Sequence, residues 1–177
     1  ELKGKTAGII GYGNTGSCFA RLLSGFDLQI LVYDKYKFGF SHGKVKECAL
    51  NDIFKQADIL SFHVPLTAET RYMFSEEFVG NFQKQIYLIN TSRGEVVNTK
   101  GLLTALDRKQ VLGAGLDVLE YEKHSFENLL SDSQNPILKK LTKKPNVIIT
   151  PHVAGSSTQS VFKIADILAD KIIAKYR

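Results

Sequence analysis

Tryptophan is absent from this sequence, methionine occurs once, cysteine twice and proline four times. The cysteine shortage excludes a disulfide-stapled scaffold, which needs several closely spaced cysteines. Cys18 and Cys48 have no motif spacing. With no basic-then-apolar opening segment, they point to a reducing compartment, and the expected location is cytoplasmic. Cys18 falls in the apolar pattern of a predicted helix and reads as a small core residue. Four prolines leave no Pro-rich linker, and neither an internal repeat nor a low-complexity tract interrupts the chain. No apolar run approaches the roughly 18 residues of a membrane span, so no membrane partner is expected. No His, Cys and Asp cluster has ligand spacing, so no metal is expected.

What is present is an ordinary globular composition. The chain has 177 residues, 44% hydrophobic and 23% charged, enough for one domain with a real core. The net charge is +5, but the lysines are dispersed and not gathered into an aromatic-flanked stripe, so nucleic acid is not an expected partner. The densest run, "KKLTKKP" at 139–145, reads as a solvated turn. The chain opens "ELKGKT" without methionine and ends inside a helical pattern, which reads as a piece of a longer protein.

Short β-branched runs alternate with helical patterns throughout. Strands are predicted over 6–12, 28–34, 58–64, 85–91, 113–119 and 146–150. They are continuously apolar rather than alternating, as suits strands covered on both faces. Between them Cys18, Phe19, Leu22, Leu23 and Phe26 recur at helical spacing, and Asn51 is placed to cap a helix carrying Ile53, Phe54 and Ala57. Leu102, Leu103 and Leu106 mark another helix, and Val161, Ile164, Ala165, Leu168 and Ile172 the last. The alternation predicts an α/β fold, a doubly wound parallel sheet of Rossmann type with helices on both faces.

The stretch "GIIGYGNTG" at 8–16 then acquires a meaning. Gly11, Gly13 and Gly16 lie where the first strand ends and the first helix begins, as a dinucleotide-binding turn requires. The helix N-terminus offers N–H groups and a positive dipole end to a pyrophosphate. Asp34 ends the second strand eighteen residues after Gly16, where an acid bonds the adenosine ribose and repels a 2′-phosphate. NAD is therefore the expected cofactor over NADP, although Lys35 and Lys37 lie close by.

Three later strand ends carry ionisable residues: Arg93 in "INTSRGEVVN", Asp117 and Glu122 in "GAGLDVLEYE", and His152 in "TPHVAGSST". An arginine, a carboxylate and a histidine together can polarise a carbonyl, orient an imidazole and move a proton. Together with "GKTAGIIGYGNTG" and "SFHVPLTAET", these motifs resemble the D-isomer-specific 2-hydroxyacid dehydrogenases, including the D-3-phosphoglycerate dehydrogenase-like members. The resemblance covers essentially the whole chain, but only the cofactor domain of that family. A substrate domain, built in the family from flanking segments, is expected to be absent from residues 1–177.

The resemblance implies roles. His152 matches the acid–base histidine, Glu122 the acid that polarises it, and Arg93 the arginine that binds substrate carboxylate and carbonyl. Asp117 matches an acid near the nicotinamide. Asn14 and Thr15 fall in the pyrophosphate turn, and Val64, Pro65, Thr91, Ser92 and Gly155 on segments flanking the cofactor. The substrate implied is a small 2-hydroxy or 2-oxo acid, and the family implies a homodimer. The sequence departs from the family where "EYEKHSFENLL" follows the acid, in place of the usual E-x-E-P, and the stretch from Glu122 to His152 is several residues longer. His63 reads as a structural or cofactor-flanking histidine, and His42 and His124 as solvated. The alternative function is an NAD(H)-sensing scaffold of the corepressor type, which retains the same three residues.

Overall fold

Apolar runs too short and too continuous for surface helices assemble here into one parallel sheet. The computed structural model describes residues 1–122 and 135–176. Its strands are β1 (Thr6–Ile10), β2 (Gln29–Tyr33), β3 (Val45–Glu47), β4 (Ile59–Phe62), β5 (Ile86–Asn90), β6 (Val111–Leu116) and β7 (Val147–Ile149). All pair in parallel, in the order β3-β2-β1-β4-β5-β6-β7. The order reverses at β1, whose Ile9 lies opposite Val32 of β2 and Ser61 of β4. That reversal opens a crevice at the carboxyl ends of the central strands, where sheets of this type take ligands.

The helices are α1 (Asn14–Leu23), α2 (Leu50–Gln56), α3 (Glu76–Gly80), α4 (Thr99–Asp107), α5 (Pro136–Thr142) and α6 (Thr158–Tyr176). Because strand side chains alternate between faces, the two hydrophobic clusters sort onto opposite sides of the sheet. Ile10, Leu31, Leu60, Phe62, Ile86 and Leu88 pack with Ile53, Val79, Leu102, Leu106 and Leu141 from the side of α2 to α5. Ala7, Ile9, Ile30 and Val32 pack with Ala20, Phe19 and Leu23 of α1 on the other side. Along β5 and β7 that second face is open among the described residues: Tyr87 is 51% exposed and Ile148 70%. No described helix is long and apolar enough to cross a membrane.

Several expectations are corrected. β3 was not foreseen, because "VKE" is too short and polar to read as a strand. Asn51 does not cap α2. Ala49 is the N-cap residue, and the Asp52 carboxylate accepts its N–H at 3.1 Å. The run at 139–145 is no simple turn, since Lys139 and Lys140 form the last turn of α5, which Asn135 caps and Pro136 opens. Cys18 is exposed, because α1 turns Gly16 and Ala20 to the sheet and leaves Cys18 and Leu22 on the cleft side. α6 forms where the periodicity puts it, but none of its residues is buried.

Candidate active site

The glycine turn follows directly from β1. Gly11 has φ +97°, a backbone few side chains tolerate, and a Cβ there would lie 2.4 Å from the His63 carbonyl. At Gly16 a Cβ would lie 2.0 Å from the Gly11 carbonyl, so only glycine lets α1 start this close to the strand. A Cβ at Gly13 would meet nothing within 4 Å; this glycine keeps the open side of the turn free for a ligand. Gly13 is also the N-cap of α1 and provides no side-chain cap. The first N–H groups of Asn14, Thr15 and Gly16 thus remain for an anion. The residues present fit a dinucleotide pyrophosphate.

Asp34, half-buried at the end of β2, is held by three backbone donors. Tyr12 N–H donates to Oδ2 at 2.7 Å, and Tyr36 and Lys37 N–H donate to Oδ1 at 2.8 and 3.0 Å. A carboxylate accepts about four hydrogen bonds, so capacity remains for a ribose hydroxyl. His63 directly follows β4 and donates its N–H to the Ile10 carbonyl at 2.8 Å. Its ring lies 2.9 Å from the Ser61 hydroxyl and against Phe19. Burial pushes the imidazole down to about 4, which leaves it neutral at physiological pH and unsuited to deliver a proton. Val64 is partly buried behind it, and Pro65 is exposed.

After β5 the turn is built around Asn90, which is fully buried and which sequence reasoning missed. Its Oδ1 accepts the Ser92 N–H and hydroxyl at 3.1 and 2.7 Å, and its amide donates to the Arg93 carbonyl at 3.0 Å. Ser92 is thereby turned inward, while Thr91 and Arg93 are exposed toward the crevice. The next residue, Gly94, packs so tightly on the β6 loop that a Cβ would lie 2.0 Å from the Leu119 carbonyl. The signal for Asn90 was a polar residue ending an apolar strand.

Asp117 is 4% exposed and braces the loop after β7. It accepts the Thr150 hydroxyl at 2.5 Å and the N–H groups of Val153 and Ala154 at 3.0 and 2.9 Å. Burial pushes its carboxyl up, but those donors and the nearby His152 outweigh it and hold it below the usual carboxylate range. The Asp117 carbonyl also accepts the His152 N–H at 2.9 Å. His152 has φ +54°, a sparsely populated backbone that persists because its neighbours enforce it. Its Nδ1 lies 2.6 Å from Glu122 Oε1.

Arg93, Glu122 and His152, from three different strand ends, therefore line one cavity together with Leu66, Tyr72 and Tyr121. Arg93 and His152 also line the adjoining cleft with Thr15, His63, Thr91, Asp117 and Gly155. The two hollows meet at the arginine and the histidine. Of the histidines read as solvated, His42 is exposed, whereas His124 lies outside the described residues, as does the part of the lengthened Glu122–His152 stretch that covers 123–134.

Comparison with known proteins identifies the family. Residues 1–154 match the family described as D-isomer specific 2-hydroxyacid dehydrogenase, NAD binding domain. A glyoxylate reductase of Thermofilum pendens is 37% identical over 177 residues, covering 98% of this chain and 49% of its own. Two solved structures lie close. The D-isomer specific 2-hydroxyacid dehydrogenase of Lactobacillus delbrueckii ssp. bulgaricus in its NAD-complexed form has a TM-score of 0.84 at 35% identity, covering 97% of this chain and 54% of its own. The D-lactate dehydrogenase of Aquifex aeolicus with NAD and lactic acid has a TM-score of 0.82 at 35% identity, covering 96% and 53%. The chain thus spans about half the length of the relatives it matches. It belongs to the D-isomer specific 2-hydroxyacid dehydrogenases, as their NAD-binding domain.

Proposed function

We propose that this chain is the cofactor half of a two-domain enzyme that interconverts a small 2-oxo acid and its 2-hydroxy acid. The observation that carries the reading is the 2.6 Å contact between His152 and Glu122 at the cavity Arg93 also lines. NADH, when bound, supplies the hydride that reduces the substrate carbonyl carbon. The chain supplies the rest. Arg93 presents a planar fork suited to the substrate carboxylate and its neighbouring carbonyl oxygen. Glu122 accepts the Nδ1–H of His152, which fixes the ring and leaves Nε2 to face the cavity. As imidazolium, His152 gives its Nε2 proton to the carbonyl oxygen; in the oxidative direction it takes the proton back. Asp117 positions the loop that carries the histidine, while His63, neutral, walls the groove without exchanging protons.

The substrate domain is assigned to chain outside residues 1–177. The shared length with the relatives supports this, as does the apolar surface of α6, which nothing in the described residues covers. On this reading residues 1–177 bind NADH but do not turn over, because water exclusion awaits closure of two domains; brisk turnover by this piece alone would overturn it. The open face at Tyr87 and Ile148 supports a homodimer, to be checked by sedimentation equilibrium. The two free thiols, Cys18 and Cys48, support a reducing, cytoplasmic setting. The relatives are named as reductases and dehydrogenases, and no observation favours the scaffold reading.

The substrate is a 2-oxo acid of glyoxylate, pyruvate or hydroxypyruvate size, with the phosphorylated hydroxypyruvate of the phosphoglycerate-type members as the further candidate. The experiment follows NADH consumption by the full-length protein across these acids, beside a His152→Ala variant. Consumption with one acid, lowered by a factor on the order of 100 to 10,000 in the variant, establishes the reading. NADH binding without consumption of any acid overturns it.

A further inference from the structure

Both lysines that could favour a phosphorylated cofactor beside Asp34 are engaged in this structure. Lys37 Nζ donates to the Tyr12 carbonyl at 3.0 Å. Lys35 Nζ pairs at 2.7 Å with Oε1 of Glu69, a residue thirty-four positions away on the loop after β4. The other oxygen, Oε2, accepts the Tyr36 hydroxyl at 2.8 Å, and the Lys35 ammonium lies 5.5 Å from the centre of the Tyr36 ring. Glu69 thus spans both side chains that follow Asp34.

The loop that presents Glu69 is fixed by its own bonds. Thr67 N–H donates to Thr70 Oγ1 at 2.8 Å, Thr70 Oγ1 donates to the Pro65 carbonyl at 2.6 Å, and Arg71 N–H donates to the Thr67 carbonyl at 3.0 Å. An isolated exposed ion pair is worth little, whereas a network on a preset loop holds its geometry. The contact with Glu69 raises the Lys35 pKa, and the same contact lowers that of Glu69, so both remain charged across the physiological range.

We propose that Glu69 is a second cofactor-selectivity residue, which neutralises Lys35 and so withholds the cation that a 2′-phosphate on the adenosine ribose would require. The inference rests on the groove beside Asp34 being the adenosine end of the NAD site. With Glu69 in place, two carboxylates and two lysines cancel around that position. Without it the balance becomes positive by one charge, and Lys35 is released to meet an anion. Discrimination against NADP is then shared between β2 and the loop after β4, and replacing Asp34 alone converts the preference incompletely.

The test is calorimetric titration of the protein with NADH and with NADPH, in the unaltered chain, Glu69→Gln, and Glu69→Gln/Lys35→Met. At low salt, Glu69→Gln is expected to raise NADPH affinity relative to NADH by about three- to five-fold, from one added charge acting on a nearby phosphate through water. The gain disappears toward 0.5 M salt on the order of the screening length there, and it is abolished in the double variant because Lys35 carries it. An unchanged ratio in a Glu69→Gln protein of normal melting temperature overturns the proposal. So does a gain that survives loss of Lys35. Absence of NADH binding by the unaltered protein would instead overturn the groove reading beneath it.

Discussion

The proposed role of His152 and Glu122 rests on a single charge at their 2.6 Å contact. Glu122→Gln preserves a hydrogen-bonding side chain of the same size but removes the carboxylate that stabilises an imidazolium. On the proposed reading, the kcat/KM of the full-length protein is expected to fall on the order of 10- to 100-fold in this variant. A variant with unaltered rate would remove Glu122 from the proposed mechanism. His63 obeys the opposite logic. Its folded-state pKa, about 4, lies below the unfolded value near 6.5, so between these the unfolded chain binds the extra proton. Stability is therefore unaffected above about pH 6.5 and falls as the pH drops toward 4. Melting temperatures of the protein and of His63→Asn, compared from pH 7 to 4.5, should show a shallower acid decline in the variant. An identical decline would mean that the ring is solvated in the folded state.

At the scale of elements, what was legible and what was not divide along physical lines. The six apolar strands and the glycine turn were readable because burial in a parallel sheet and close backbone approach permit few residue types, although β5 and β7 keep one face open among the described residues. The candidate site was readable because its ionisable residues follow apolar strands at the carboxyl end of the sheet, where such sheets bind ligands. β3 was illegible because a three-residue edge strand needs no apolar signature, and Cys18 misled because helical spacing fixes a stripe without saying which neighbour it faces. Asn90 and the bracing role of Asp117 were hidden for a different reason: each acts on backbone brought close only by the fold. Gly94 belongs here too, as the point where the Arg93 turn touches the loop leading to Glu122. Gly94→Ala would press a methyl into the Leu119 carbonyl, 2.0 Å from the ideal Cβ, so one of the two loops must move. Chemical denaturation should register a loss on the order of 2 kcal/mol. A neutral result would show that the two loops can separate without cost.

For the molecule as a whole, the informative feature is α6. Its apolar residues run around much of the helix, with Val161, Ile164, Leu168 and Ile172 all more than half exposed, and a helix of that kind is ordinarily buried. Here it lies outside both hydrophobic clusters, so the sheet's stability does not depend on it. Truncation after Ser157 is therefore expected to leave the melting temperature within a few degrees of the 177-residue chain, since local segments without core packing contribute little to global unfolding. The same truncation should lower the binding of a hydrophobic dye and any tendency to associate, because it removes a large exposed apolar patch. A melting temperature lower by ten degrees or so, roughly 3 to 4 kcal/mol for a domain of this size, would mean that α6 packs against the sheet in solution. In that case its surface would be covered from within the chain, and the apolar stripe would lend no support to a second domain.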